Sequence, residues 1–306
     1  MEIIRNINEY HSFRPTVVSV GKFDGVHQGH MLLKKHMDGF ADRGLASCMV
    51  TFDIPPSDGI AGGSSALLVT REEREAIVEK AGIDIFCVLH FDESLRRMPP
   101  EDFIRLLSEH LNMKALVCGS DFRFGYMGEG DTDLLTELAP KYDFELDVVS
   151  KLKDEKKDIS STLIRELITS GEIDHANRIL GYEYYVYGQI VHGNRIGHSI
   201  GFPTINITPP SDKLLPPFGV YLTRVSIDNR SYMAITNVGC KPTVSSDGSI
   251  VVESHLLEGT GEEYGNFARV SFMHFLRKEK KFGSIDELKR QIQTDKKEAL
   301  AYFKKA

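Results

Sequence analysis

The 306-residue chain reads as two units in tandem: an α/β unit on a doubly wound parallel sheet, then an antiparallel β-barrel that ends in a helix. Three observations predict this. Up to about residue 150, apolar runs of strand length alternate with helical periodicity, the pattern of a parallel sheet with helices on both faces. Beyond Gly181 the helical period gives way to successive short strands separated by Gly, Pro, Asn and Asp. The length also exceeds one typical domain. The boundary is expected between 183 and 184, giving units 1–183 and 184–306.

In the first unit, 17–20, 48–52, 83–89, 115–118 and 144–149 read as strands, with helices near 29–40, 71–81, 100–112 and 132–141. Thr70 with Glu73 forms a capping box closed by Gly82, Pro99-Pro100 precedes another helix start, and Asp131 caps a third. Leu167, Ile168, Ile173, Ala176, Ile179 and Leu180 form a short helical pair ending at Gly181. In the second unit, 184–191, 220–227, 231–238, 250–257 and 267–276 read as strands. The last helix starts at a Ser284/Glu287 capping box and is expected to bury Ile285, Leu288, Ile292, Leu300 and Phe303.

Composition narrows the function. Hydrophobic residues make up 41% and charged residues 26%, an ordinary globular balance. No segment approaches the roughly 18 apolar residues of a membrane span, and residues 1–5 lack the apolar core of a secretory signal, so a soluble cytoplasmic protein is expected. A net charge of −7 with interspersed signs argues against broad nucleic-acid binding and leaves small molecules as the expected partners. Cys48, Cys87, Cys118 and Cys240 show no Cys-x-x-Cys spacing, and the first three sit in apolar runs as reduced core residues. The oligomeric state is left open.

The most informative stretch is Gly21-Lys22-Phe23-Asp24-Gly25-Val26-His27-Gln28-Gly29-His30, set between a buried-strand pattern and a helix. Gly21, Gly25 and Gly29 let backbone approach a ligand, free amides at a helix start attract anions, and His27 and His30 fall on one face of the first turn. Imidazolium, or a neutral N–H donor, can stabilise charge on a phosphorus centre as diphosphate leaves, which points to nucleotidyl transfer. The loop at 53–63, rich in Pro and Gly and including Pro55 and Pro56, is either a ligand cover or a connection. In Gly119-Ser120-Asp121-Phe122-Arg123-Phe124-Gly125, Phe122 and Phe124 offer flat apolar faces beside the polar Asp121 and Arg123. The same residues also suit a solvated turn anchored in the core. Ser160, Ser161 and Thr162, with Arg165 one turn on, form a second anion site or an ordinary helix cap.

In the second unit, Gly193 and Gly197 belong to a glycine-rich loop without the Walker pattern, where backbone can approach phosphate. Thr204 and Asn206 alternate on an extended segment, share a side, and can offer oxygens to a magnesium ion that keeps most of its waters. Glu253 is a carboxylate inside an apolar strand, facing either a ligand cavity or the solvated side.

These motifs resemble, in order and over nearly the whole chain, the bacterial bifunctional riboflavin kinase/FMN adenylyltransferase (FAD synthetase) family. The matches are Gly-x-Phe-Asp-Gly-x-His-x-Gly-His, Gly-x-Asp-Phe-Arg-Phe-Gly, Ile-Ser-Ser-Thr-x-Ile-Arg, Gly-x-Pro-Thr-x-Asn and Asn-x-Gly-x-Arg-Pro-Thr. Two motifs depart: Ile54-Pro55-Pro56 stands where the family has Pro-His-Pro, and Lys241 where it has Arg. The resemblance implies a Rossmann-like nucleotidyltransferase unit that adenylylates FMN and a barrel that phosphorylates riboflavin, both with ATP and magnesium. It implies that His27, His30 and Arg165 are catalytic, with Gly21, Phe23, Asp24, Gly25, Gly29, Ser160, Ser161 and Thr162 around ATP. Pro55, Pro56, Asp121, Phe122, Arg123 and Phe124 would meet the flavin. In the barrel it implies Gly193 and Gly197 at phosphate, Thr204 and Asn206 at the metal, and Glu253 as general base. Alternatives are a chain with one working activity and a non-enzymatic flavin binder, the latter disfavoured by the joint presence of His30, Arg165, Thr204, Asn206 and Glu253.

Overall fold

The computed structural model describes residues 1–53, 66–191, 202, 204–240, 250–258 and 265–304. The chain divides into two compact units, 1–161 and 162–306.

The first unit holds six parallel strands: β1 (Glu2–Ile4), β2 (Thr16–Val20), β3 (Ala46–Phe52), β4 (Ile85–Leu89), β5 (Met113–Gly119) and β6 (Glu145–Val149), ordered β1-β4-β3-β2-β5-β6. Helices are α1 (Gln28–Asp38), α2 (Arg71–Lys80), α3 (Glu93–Arg96), α4 (Pro100–Leu111) and α5 (Thr132–Leu138). Because successive side chains point to opposite faces, Val18, Val20, Val50 and Leu116 pack on Ile104, Leu107 and Leu111 of α4 and Leu135 of α5. Val17, Met49, Phe86 and Val117 pack on Met37 of α1 and Val78 of α2. Covering both faces is what makes these strands read as continuous apolar runs. The chain order reverses between β2 and β5, so a crevice opens beyond their carboxyl ends.

The expected helix punctuation is present. Thr70 and Glu73 form a reciprocal capping box, Asn112 ends α4 in the left-handed region, and Asp131 accepts from the amides of Asp133 and Leu134. Three small elements escaped the sequence: β1, α3, and the hairpin of β7 (Lys153–Asp154) and β8 (Lys157–Asp158). Each is too short to show a period.

Helix α6 (Ser161–Ser170) begins at the division, followed by α7 (Ile173–Leu180). The barrel comprises β9 (Tyr185–Val191), β10 (Thr204–Ile207), β11 (Gly219–Ile227), β12 (Arg230–Cys240), β13 (Ile250–Leu256) and β14 (Phe267–Arg277), closed in the order β10-β13-β12-β11-β14-β9, and the chain ends in α8 (Ile285–Phe303). Ile205, Tyr221, Val238, Val252 and Phe272 fill the interior, and a hydroxyl chain, Thr223 to Thr236 to Ser254, satisfies its own polar groups there at 2.6 and 2.8 Å. The division falls ahead of the expected 183/184. Helix α7 buries Ile173, Ala176, Ile179 and Leu180, and its Asn177 donates to the Phe272 carbonyl of β14 while accepting from the Tyr184 amide. Packing therefore assigns to the barrel a helix whose sequence texture belongs with the preceding unit.

The terminal helix corrects the sequence in two ways. Ile285 and Leu300 are 60% and 45% exposed, and the buried stripe instead carries Asp295 and Ala299. Asp295 is tolerated there because Arg277 binds it through Nε and Nη2 and Gln291 adds a third donor. The Ser284 hydroxyl does cap the Glu287 amide, but Glu287 reaches the Gly283 amide, so the box is not reciprocal.

Candidate active sites

In the first unit, the chain leaves β2 at Val20 and turns sharply into α1. Phe23 (φ 47°), Gly25 (φ 88°) and Val26 (φ 39°) all lie in the left-handed region, which for buried Phe and Val is a strained conformation of the kind concentrated at functional sites. His27 is the N-cap of α1, and its ring stacks on that of His30 with centroids 3.8 Å apart, while Phe23 meets His30 edge-on. Gly29 makes the stack possible, since a Cβ there would press on the His27 ring at 3.0 Å. The space beside Gly21 and Gly29 is thus partly taken by the chain's own rings, a second use beyond the expected approach of backbone to ligand. His27 is 6% exposed, and Nδ1 of both histidines is buried with no partner among the described residues. Burial lowers the His27 pKa to about 4 and that of His30 well below its ordinary value. Without ligand the pair is therefore neutral, and each ring carries one N–H.

The Ser161 hydroxyl donates to the Asp24 carbonyl at 2.7 Å, bringing that serine to the glycine-rich turn. The Asp24 carboxylate accepts from the Leu68 and Val69 amides, so one of its oxygens holds the approach to α2. Ser160 is half-buried; Thr162 is exposed and Arg165 half-buried in the first turns of α6. Sequence reasoning missed Arg74. From α2 it donates to the carbonyls of Lys22 and Phe52 and to the Thr51 hydroxyl, tying together the ends of β2 and β3. Burial lowers its pKa, with Asp24 the largest opposing influence. Its run, Arg-Glu-Glu-Arg, reads as a solvated face, and nothing local marks which Arg turns inward.

Beyond the strand ends lies a cleft of about 1060 Å³, bordered by Gly21, Lys22, Phe52, Phe91, Asp121, Phe122, Arg123 and Phe124. Phe122 stacks on Phe124 at 5.5 Å, but the two rings differ in burial: Phe124 is 5% exposed, packs on Phe103 and sits against Gly130, whereas Phe122 is half-buried. Phe124 is thus a core anchor that also borders the cleft. Asp121 pairs with Lys151, and Arg123 with Asp131. Asp53 accepts from the Phe91 amide and bonds His90. Pro55 and Pro56 lie outside the described residues.

In the barrel, register places Asn206, Glu253 and Asn237 side by side on β10, β13 and β12. Alternation with interior Ile205, Ser254 and Thr236 puts them on the outer face, beneath α8. Between that face and the helix lies a pocket of about 320 Å³ lined by Thr204, Ile235, Asn237, Glu253, Leu288 and Ile292 among others. Glu253 thus faces a cavity, and the Thr204 hydroxyl donates to its carboxylate at 2.7 Å. Asn206 is buried. Arg277 reaches the pocket edge but is bound to Asp295, in keeping with a structural role. Gly193, Gly197 and Lys241 lie outside the described residues.

A parallel-sheet unit with paired imidazoles at a helix start, followed by a barrel with a carboxylate, a hydroxyl and an amide facing a pocket, defines a two-centre enzyme that transfers phosphate groups. The family profile of FAD synthetase matches residues 9–163, and that of riboflavin kinase residues 180–303. The bifunctional riboflavin kinase/FMN adenylyltransferase of Listeria monocytogenes is 33% identical over 294 residues, 94% of this chain and 93% of that one. Its counterpart in Escherichia coli K12 is 32% identical over 310 residues, 99% and 98% of the two chains. A solved Streptococcus pneumoniae structure, described as a macrolide-efflux protein, superposes with a TM-score of 0.87 at 28% identity, covering 97% of this chain and 98% of that one. The chain belongs to the bifunctional riboflavin kinase/FMN adenylyltransferase family. Among the described residues no helix is long and apolar enough to cross a membrane.

Proposed function

We propose that this chain makes FAD from riboflavin in two ATP-dependent steps, phosphorylating riboflavin at the barrel pocket and adenylylating FMN in the parallel-sheet unit. The observation that carries the first step is the Glu253 carboxylate set beside Thr204 in the lining of the barrel pocket. Glu253 takes the proton of the riboflavin 5′-hydroxyl as that oxygen attacks the γ-phosphorus and ADP departs. Thr204 and Asn206 offer side-chain oxygens that suit magnesium, which when bound would screen the polyphosphate charge.

For the second step, a phosphate oxygen of FMN attacks the α-phosphorus of ATP and diphosphate leaves. The protein supplies position and charge stabilisation without a covalent intermediate. The neutral His27 and His30 rings each offer one N–H at the start of α1, where the helix dipole favours an anion. The cleft beside Phe122 is wide enough for a flavin and walled by aromatic rings. Incubation with riboflavin, ATP and magnesium, and separately with FMN in place of riboflavin, followed by chromatography, tests both steps. FMN and FAD are expected from the first mixture and FAD from the second; absence of either product overturns the corresponding step.

A further inference from the structure

Glu279, two residues beyond the end of β14, closes the barrel pocket opposite α8. Its Oε1 accepts from Asn237 Nδ2 at 3.0 Å. The carboxylate also occupies space that a side chain at 239 would fill: a Cβ on Gly239 would lie 2.1 Å from Oε1. Asn237 is in turn the direct cross-strand partner of Glu253. Of the three carboxylates that line the pocket, Asp295 is held by Arg277, and Glu253 and Glu279 are linked through Asn237 on the strand between them.

That spacing suits a polyol. The strands of Glu253 and Asn237 are neighbours, about 4.8 Å apart, close to the reach of an extended run of roughly four C–C bonds. A chain whose terminal hydroxyl meets Glu253 sets its inner hydroxyls opposite Asn237 and Glu279. A carboxylate is an acceptor only and takes two vicinal O–H donors, while an amide both gives and takes. Ile235, Phe282, Leu288 and Ile292 give the wall, which also carries His255, Arg277 and Lys280, an apolar part that suits a flat ring.

We propose that Glu279, positioned by Asn237 and by the missing side chain at 239, is a specificity-determining residue that reads the inner ribityl hydroxyls of riboflavin. This rests on the placement of riboflavin in the barrel pocket. The side chain is not needed for proton removal, so its effect depends on which hydroxyls the substrate carries.

The test uses the full chain and two substrates: riboflavin, and a flavin whose ribityl group is replaced by an unbranched hydroxypentyl chain, which keeps the ring, the length and the terminal hydroxyl. Glu279→Ala is expected to lower kcat/KM for riboflavin about ten- to a hundredfold, the worth of hydrogen bonds to a charged group, and that for the analogue by less than about threefold. Gly239→Ala, which drives the carboxylate from its seat, is expected to show the same selective loss. Equal losses on both substrates, or none on either, in variants that melt like the parent would overturn the role of Glu279. Failure of the parent to phosphorylate riboflavin would instead overturn the placement of the substrate.

Discussion

The hydroxyl of Thr204 donates to the carboxylate of Glu253 across 49 residues of sequence, joining the expected metal donor and the expected base in one hydrogen bond. The bond orients the carboxylate toward the pocket and leaves its second oxygen for a substrate hydroxyl.

Glu253→Gln keeps the shape of this pair but cannot accept a proton. Riboflavin phosphorylation should fall by roughly 10² to 10⁴. Formation of FAD from FMN should persist in the same preparation, and parallel loss of both activities in folded protein would show that the two centres are not separate.

His30→Ala should act in the opposite sense. Removing one donor to the departing diphosphate costs about 10² to 10³ in rate. FAD formation from FMN, followed by chromatography, should drop by this amount while FMN formation from riboflavin continues.

The buried histidines also set a pH dependence of stability. In the unfolded chain a histidine titrates near its ordinary value of about 6.5. Folded His27 titrates at about 4. Below the unfolded value the unfolded state binds the proton and the folded state does not, so stability falls with pH and the loss levels off below about 4. For His27 the full window is on the order of 3 kcal/mol. Urea unfolding at pH 7 and pH 5 should show a shallower decline for His27→Gln than for the parent; identical slopes would argue against a neutral buried ring.

Asp295 is 2% exposed and holds Arg277 and Gln291. Asp295→Ala removes the carboxylate partner of a guanidinium that is itself 24% exposed and still bonds the Lys278 carbonyl, so the cost is that of hydrogen bonds to a charged group, about 1.5 to 3 kcal/mol. Thermal unfolding should show the barrel transition shifted down.

The place of α7 gives a test of the division. A fragment 162–306 retains the Asn177 bonds and the apolar stripe of Ile173, Ala176, Ile179 and Leu180, whereas 184–306 lacks them. The longer fragment is expected to melt at the higher temperature and to yield FMN but no FAD. Equal melting of the two would mean that α7 adds nothing to the barrel.

Much of this protein is local and therefore legible in sequence. The strand and helix periods, the Thr70/Glu73 cap, the turn from Gly21 to His30 and the shared side of Thr204 and Asn206 each depend on residues a few positions apart. Packing decided the rest. A strand's two faces are equivalent until something covers one, so only the seating of α8 settles that Glu253 looks into a pocket on the outer face of the barrel. The neutrality of His27 and His30 comes from desolvation, and the inward turn of Arg74 from acceptors in the turn after β2 and at the end of β3. Asp295 sits in a stripe expected to be apolar because Arg277, 18 residues away, neutralises it. Period and punctuation are properties of a short segment of chain, whereas burial and charge pairing belong to surfaces that exist only once distant segments meet.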